Sequence, residues 1–215
     1  DAAQAGETVV LIRDVELKDI LVINKSITLD GNGHELTSKA GRAINVSGAV
    51  AATIKDLTIE ASGERAINVI QGASNVTISN VKATAANYAV NVAASAAGST
   101  IEIENSDLTG LNTVNVAAAN TNVTIDNSVV NNVDNTAVEN YAALKLSIEA
   151  ENSTITVTNT TINVSDDSVK ATVSSETGII TIDGTDAEVK YDVAYISYGA
   201  NAYTFSSLQA AIDAA

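Results

Sequence analysis

Several residue types are missing from this sequence, and each absence excludes a kind of chemistry. The 215 residues contain no cysteine, methionine, tryptophan or proline. Without cysteine there can be no disulfide, no thiol nucleophile and no zinc–thiolate site. The single histidine, His34, would have to serve any Ser-His-Asp triad, and no residue spacing around it supports one.

Basic residues are scarce as well. There are 11 Lys and Arg residues against 26 Asp and Glu, which gives a net charge of -15. This balance argues against nucleic acid and anionic membrane surfaces as partners. No apolar run is long enough to span a bilayer, so we expect no membrane insertion. The first residues do not resemble a signal peptide, and we expect any export signal to have been removed or to lie outside this chain.

What the sequence has in abundance is short motifs that recur together. One motif series reads Ala43-Ile-Asn-Val46, Ala66-Ile-Asn-Val69, Ala89-Val-Asn-Val92, Thr113-Val-Asn-Val116 and a decayed Ala137-Val-Glu-Asn140. Its members follow each other at intervals of 23 or 24 residues. A second series runs in phase with it, including Val76-Thr-Ile-Ser-Asn80, Ile101-Glu-Ile-Glu-Asn105 and Val123-Thr-Ile-Asp-Asn127. A looser third series places apolar residues at Leu36, Ile59, Val81, Leu108, Val130, Ile162 and Val189.

These motifs predict stacked coils of short strands. Each alternates β-branched and polar residues with a period of two, and Gly, Asn, Asp and Ser turns separate them. A repeat of 20-odd residues is typical of a solenoid. We therefore predict an all-β, right-handed parallel β-helix with about three strands per coil of 22–25 residues. In it, Val76 and Ile78 should point inward and stack on Ile101 and Ile103 of the next coil.

Asparagine residues fall into two predicted columns. The first is a structural turn ladder at Asp56, Asn80, Asn105, Asn127 and Asn159, with Gly31 and Gly184 at its ends. Asn tolerates left-handed backbone, so it suits a bend that recurs on every coil. The second is an outer ladder at Asn45, Asn68, Asn91 and Asn115. Because these residues alternate with apolar ones, we expect them to face solvent, either as a binding strip or as a merely solvated surface.

At this point the sequence resembles a known family. Segments such as "INKSITLDGNGHEL", "SNVTISNVKAT" and "NTNVTIDNSVV" resemble the pectate-lyase-like, right-handed β-helix repeats of large prokaryotic surface proteins and adhesins. The resemblance covers nearly the whole chain and implies the fold more strongly than the function. Relatives that are lyases use a calcium-binding acidic cluster and a basic residue on the outer face for catalysis, so the resemblance implies that an enzyme of this kind would carry both.

One acidic cluster in the sequence matches this expectation, but only in part. Glu102, Glu104 and Asp126 are predicted to lie on adjacent coils, where their carboxylates could hold Ca²⁺. No Lys or Arg takes a matching position beside them, since Lys55 is predicted to lie two coils from Glu104. We therefore predict no catalytic residue, no cofactor and no enzyme activity. A polysaccharide-binding or polysaccharide-degrading module is the alternative.

The C-terminal segment predicts a cap. Residues 1–190 are interpreted as the coils, and residues 191–215 as a hairpin near Gly199-Ala-Asn201 followed by an amphipathic helix. The aromatic and apolar residues of this segment form a predicted self-assembly interface at Tyr195, Tyr198, Tyr203, Phe205, Leu208 and Ile212. An intramolecular cap is the other interpretation. Asp213-Ala-Ala215 repeats Asp1-Ala-Ala3, which suggests units with a period of 212 residues that are joined covalently or by contact between chains.

Together these features predict a structural or adhesive protein of the extracellular space or cell surface. Its main partner is expected to be another copy of itself, joined head to tail into a filament or stalk. Host or matrix glycans are further candidate partners.

Overall fold

The chain is described by a computed structural model that covers residues 2–133, 141–165, 168–187, 194–198, 201–205, 209 and 212–213. The described part is a parallel β-solenoid of about seven turns, which confirms the predicted fold class. Each turn places strands on three faces, named here A, B and C. The handedness of the coil stays a prediction.

The strands of each face stack one coil above the next. Face A contains Thr8–Val10 (β1), Thr28–Asp30 (β4), Thr100–Glu104 (β11), Asn122–Asp126 (β14), Thr154–Thr158 (β17) and Ile179–Ile182 (β20), with Thr185–Asp186 (β21) folded back antiparallel on β20. Face B contains Val15–Leu17 (β2), Glu35–Ser38 (β5), Asp107–Gly110 (β12), Val129–Asn132 (β15) and Thr161–Asn163 (β18). Two longer strands, Ala51–Ala61 (β7) and Asn75–Ala85 (β9), run from face A through the bend onto face B. Face C contains Leu21–Ile23 (β3), Arg42–Ser47 (β6), Arg65–Ile70 (β8), Tyr88–Val92 (β10), Val114–Val116 (β13), Ala142–Leu146 (β16) and Val169–Val173 (β19). A 3-10 helix spans Ala94–Ala96.

Apolar columns along the coil axis form the core. Val76 pairs with Ile101 and Ile78 with Ile103, as predicted, and the stack continues to Val123 and beyond. These side chains are at most 2 % exposed. Because full burial of one such side chain is worth about 1.5–3 kcal/mol, the columns supply the main stabilisation that the chain has without disulfides.

The register corrects three sequence predictions. Coil offsets in the described part are mostly 22–25 residues, but Thr8 to Thr28 is 20 residues and Thr124 to Thr156 is 32. Most of the extra residues of the long coil lie between faces B and C, where 134–140 fall outside the described residues. The decayed motif at 137–140 was therefore assigned wrongly, because Leu144–Leu146 takes its expected place beside Val114–Val116.

The third correction concerns face B. Ala83, rather than Val81, lies in the column between Ile59 and Leu108, and Val81 pairs with Leu57 instead. The turn residue Asn80 shifts the alternation of side chains by one position, which the spacing of apolar residues alone does not reveal. Val189 lies outside the described residues.

The predicted hairpin is present. Ala194–Tyr198 (β22) and Asn201–Phe205 (β23) pair antiparallel in a separate sheet. Of the predicted helix, the structure describes Gln209, Ile212 and Asp213, which are helical, and the other positions lie outside the described residues. The division into 1–190 and 191–215 stays a prediction. Among the described residues, no helix has the length and apolar character needed to cross a membrane.

Candidate functional site along the bend

A polar groove follows the bend between faces A and B. It has a volume of about 870 Å³ and crosses successive coils. Its lining includes the acidic or amide side chains of Asp30, Asn32, Asp56, Asn80, Asn105, Asp107, Asn127 and Asn159, together with Thr58, Lys82, Ser106, Ser128 and Thr161. No aromatic residue contributes to this lining. The groove therefore suits a polar, extended ligand better than a flat apolar one.

The predicted turn ladder lies along this groove. Asp56, Asn80, Asn105, Asn127 and Asn159 all have a positive φ, between 45° and 53°. This conformation is uncommon for residues other than Gly, and Asn and Asp adopt it most readily. On these five coils, one left-handed residue between two extended segments turns the chain from face A to face B. The backbone role predicted for these five residues is confirmed.

Side-chain hydrogen bonds join the ladder only in part. Asn80 Nδ2 donates to Asp56 Oδ1 at 2.7 Å, and Asn127 Nδ2 donates to Asn105 Oδ1 at 2.7 Å. Asn159 departs from this pattern, because its amide donates to Asp126 at 2.9 Å. The ladder is thus a set of short linked segments at an exposed bend.

The two glycines predicted to end this ladder have different roles. Gly184 has a φ of 76°, in agreement with the prediction. At the other end, positive φ values occur at Asn32 and Gly33 instead of Gly31. Gly31 is needed for space: a Cβ atom there would lie 2.6 Å from the Leu57 Cα atom of the next coil.

A row of hydroxyl groups beside the ladder was missed by the sequence analysis. The backbone N–H of Val81 donates to Ser106 Oγ, that of Ser106 to Ser128 Oγ, and that of Ser128 to Thr160 Oγ1, at 3.1–3.2 Å. Ser106 and Ser128 are buried. The available signal was the hydroxyl residue that follows the turn Asn on three successive coils. These groups satisfy backbone donors that the bend removes from the strand ladder.

Lys55 holds the acidic end of the groove together. Its ammonium lies 2.6 Å from Asp30 Oδ2 and 3.0 Å from Asp56 Oδ2. The Lys55 contact is the main cause that lowers the pKa of Asp30, and the Asn80 amide followed by Lys55 lowers that of Asp56. The two carboxylates in turn raise the pKa of Lys55. By contrast, Lys82 lines the groove with no ion pair or hydrogen bond within the described part of the chain.

The candidate calcium ligands do not converge. Glu104 pairs with Asp126 across adjacent strands, but Glu102 pairs with Thr124. Asp126 accepts hydrogen bonds from the Thr158 hydroxyl at 2.6 Å and from Asn159, and these contacts lower its pKa. Within the described ranges, no group of three acidic or histidine side chains is arranged to hold a metal ion. As the register predicted, Lys55 lies two coils from Glu104.

The prediction that the second asparagine column faces solvent is wrong. Asn45, Asn68, Asn91 and Asn115 are only 0–8 % exposed, as buried as the apolar residues beside them. Asn68 Nδ2 donates to Asn45 Oδ1 at 2.9 Å, Asn91 to Asn68 at 2.7 Å, and Asn115 to Asn91 at 2.8 Å. This column, named here the buried ladder, is a continuous chain of amide hydrogen bonds and is not a binding strip.

The predicted self-assembly interface is described only in part. Tyr195, Tyr198, Tyr203 and Phe205 lie on the two strands of the hairpin, and Leu208 lies outside the described residues. Ile212 is 59 % exposed. His34, at the start of face B, has its Nδ1 atom 3.2 Å from Asp14 Oδ1, and the backbone N–H of Glu35 donates to the same oxygen. These contacts give His34 a structural role at the bend.

Comparisons with known proteins do not assign this chain to a family. No protein-family model, curated protein or solved structure matches the chain significantly.

Proposed function

We propose that this chain is a structural or adhesive unit that joins end to end with further copies of itself. The observation that carries the proposal is the first coil, whose outer strand edges are free within the described residues to pair with a neighbouring unit, covalently joined or separate. Strands β1, β2 and β3 pair with β4, β5 and β6 on one side, and within the described residues nothing pairs on the other side. Unpaired edges invite strand addition, which natural sheets normally prevent by covering them.

The first coil also exposes apolar side chains. Val10, Ile12, Ile20 and Val22 are 48 %, 85 %, 37 % and 51 % exposed. Single exposed apolar residues are common, but four on one open coil favour contact with another protein surface. At the opposite end, β18 and β19 each pair on one side only within the described part of the chain. A second copy offers these complementary strand edges, and such a head-to-tail contact propagates into a fibre unless its rotation closes a ring.

The setting proposed for this unit is the extracellular space or cell surface. Support comes from the strongly acidic composition, which keeps a long fibre soluble, and from stability that depends on neither thiols nor disulfides. We propose a non-catalytic role because the acidic candidates Glu102, Glu104 and Asp126 do not converge and have no basic residue in register with them.

The test is self-association measured at increasing protein concentration by light scattering and electron microscopy. We expect rods longer than one solenoid, and we expect Ile12→Lys and Val22→Lys to shorten them by placing charge on the open coil. Ile148→Lys is the matched control, since Ile148 is 65 % exposed in the segment after β16. Dispersed single solenoids at every concentration, or equal effects of all three variants, would contradict the proposal.

A second candidate function is favoured by the groove. A continuous polar channel of about 870 Å³ that crosses several coils suits an extended, hydroxyl-rich polymer such as a matrix or host glycan. Affinity electrophoresis against a panel of polysaccharides tests this function. Lys82→Gln should weaken retention, whereas Lys170→Gln on face C should not. If no polysaccharide retards the native protein, the groove has no such role.

A further inference from the structure

Two of the three arginines of this acidic chain lie side by side where face C begins. Arg42 and Arg65 pair in register on adjacent strands, β6 and β8. Strands in a sheet are about 4.8 Å apart, so the side chains start at neighbouring positions. Like charges directly opposite each other destabilise a sheet. The sequence has only 11 basic residues, and two of them are adjacent here. A negative charge close by would offset the repulsion between them.

The chain itself supplies little compensation. Arg65 Nη2 donates to Glu64 Oε1 at 3.3 Å and Nη1 donates to Asn68 of the buried ladder at 3.4 Å, both long contacts. Arg65 Nε is buried and has no hydrogen-bond partner. Arg42 has no hydrogen bond or ion pair within the described part of the chain. Within the described residues, the Glu64 carboxylate is thus the one acidic group that pairs with Arg65, and Arg42 pairs with none.

An aromatic residue completes this corner. Tyr88 pairs in register with Arg65 from the next coil, and the guanidinium carbon of Arg65 lies 5.4 Å from the Tyr88 ring centroid. Such contact of a cation with an aromatic face holds the guanidinium in place. Arg65 is therefore held by Glu64 and Asn68 on one side and by Tyr88 on the other, and these contacts keep the guanidinium in one position.

We propose that Arg42 and Arg65 form a binding site for an oxyanion group, such as the carboxylate or sulfate of a small ligand. The planar fork of a guanidinium matches two oxygens of such a group. A bound oxyanion would accept hydrogen bonds from the exposed parts of the two guanidinium groups, give Arg42 its missing partner and relieve the repulsion between the two cations. The site lies at the bend between faces B and C, so it is separate from the groove and independent of end-to-end assembly.

Nuclear magnetic resonance of the full chain tests this proposal directly. The sequence contains only Arg13, Arg42 and Arg65, so three Nε–H signals are expected. Sodium acetate and sodium sulfate are titrated separately against sodium chloride at equal ionic strength. We expect saturable shifts at Arg42 and Arg65 with one or both oxyanions, and none at Arg13. Shifts that do not saturate, or that appear equally at all three arginines, would overturn the proposal.

Variants distinguish binding from a loss of folding. Arg42→Gln should weaken binding by about tenfold, as read from the Arg65 signal that remains. Arg13→Gln is the control and should change nothing. Glu64→Gln removes the competing carboxylate, so it should strengthen oxyanion binding, a gain that misfolding cannot produce. If Arg42→Gln leaves the affinity unchanged, or Glu64→Gln weakens it, the two arginines do not form the site.

Discussion

Asn68 donates its side-chain amide to Asn45 one coil below and accepts from Asn91 one coil above, at 2.9 and 2.7 Å. Its side chain is fully buried. A buried amide is tolerated only when its donors and acceptors are satisfied, and stacking identical residues at the same height satisfies them repeatedly. The buried ladder therefore fixes the register of face C, since a slip by one residue would break every bond in the column.

Loss of one member of this ladder should be costly. Asn68→Ala removes three bonds, those with Asn45 and Asn91 and the longer one from Arg65 Nη1. It leaves Asn45 Oδ1 and Asn91 Nδ2 unpaired in a buried region, which predicts a loss of about 2–4 kcal/mol in the free energy of unfolding. Urea unfolding followed by circular dichroism measures it. Asn75→Ala, at an exposed position that begins β9, is the control and should stay within about 0.5 kcal/mol. Equal effects of the two substitutions would contradict the assigned role of the buried ladder.

In the exposed turn ladder, backbone conformation should matter more than side-chain hydrogen bonds. Asn127 has a φ of 45°, so Asn127→Gly should keep the bend and lose only the bond to Asn105, at a cost of about 1 kcal/mol or less. Asn127→Val introduces a β-branched residue into left-handed backbone and should cost about 2 kcal/mol more than glycine does. Thermal unfolding of the two variants compares them directly. A valine variant as stable as the glycine variant would show that backbone conformation does not limit this position.

The two asparagine columns show what the sequence can and cannot predict. The turn ladder was predictable because a left-handed conformation is a local preference of the Asn residue itself. The burial of Asn45, Asn68, Asn91 and Asn115 was predicted wrongly. Alternation shows which side chains lie on the same side of a strand, but it does not show whether the side opposite the apolar core is exposed to solvent. The long coil between Thr124 and Thr156 was missed because a repeat fixes the spacing of coils only until an insertion interrupts it. Arg42 and Arg65 come together only once the register of face C is known.

The ion pairs of Lys55 predict a specific dependence on acid. Contacts in the fold lower the pKa of Asp30 and Asp56 from the ordinary value of 3.8. A carboxyl group with a lowered pKa in the folded state contributes stability above its unfolded pKa, and this contribution disappears as the pH falls through the folded value. The melting temperature should therefore decline as the pH falls below 3.8 and through the lowered pKa values of the two carboxyl groups, where both take up protons.

Replacement of Lys55 tests that cause. Lys55→Gln should lower the melting temperature near neutral pH, and its difference from the native protein should shrink in acid. Lys39→Gln is the control, because Lys39 forms a single exposed ion pair with Glu16 at 3.2 Å and such pairs contribute little. A difference for Lys55→Gln that remains constant down to strong acid would exclude the ion pairs as its origin.

Close stacking of coils predicts a contrast between two glycines. A Cβ atom on Gly63 would lie 2.8 Å from the Gly41 Cα atom of the coil below and closer still to the Ala40 carbonyl oxygen, whereas a Cβ atom on Gly41 would meet nothing within 4 Å. Neither residue has a positive φ, so space alone separates them. Gly63→Ala must push two backbones apart and should cost about 1–3 kcal/mol. Gly41→Ala should be neutral, or stabilising by up to about 1 kcal/mol, because alanine reduces the entropy of the unfolded chain. Urea unfolding measures both, and the stacking argument fails if the two substitutions have the same effect.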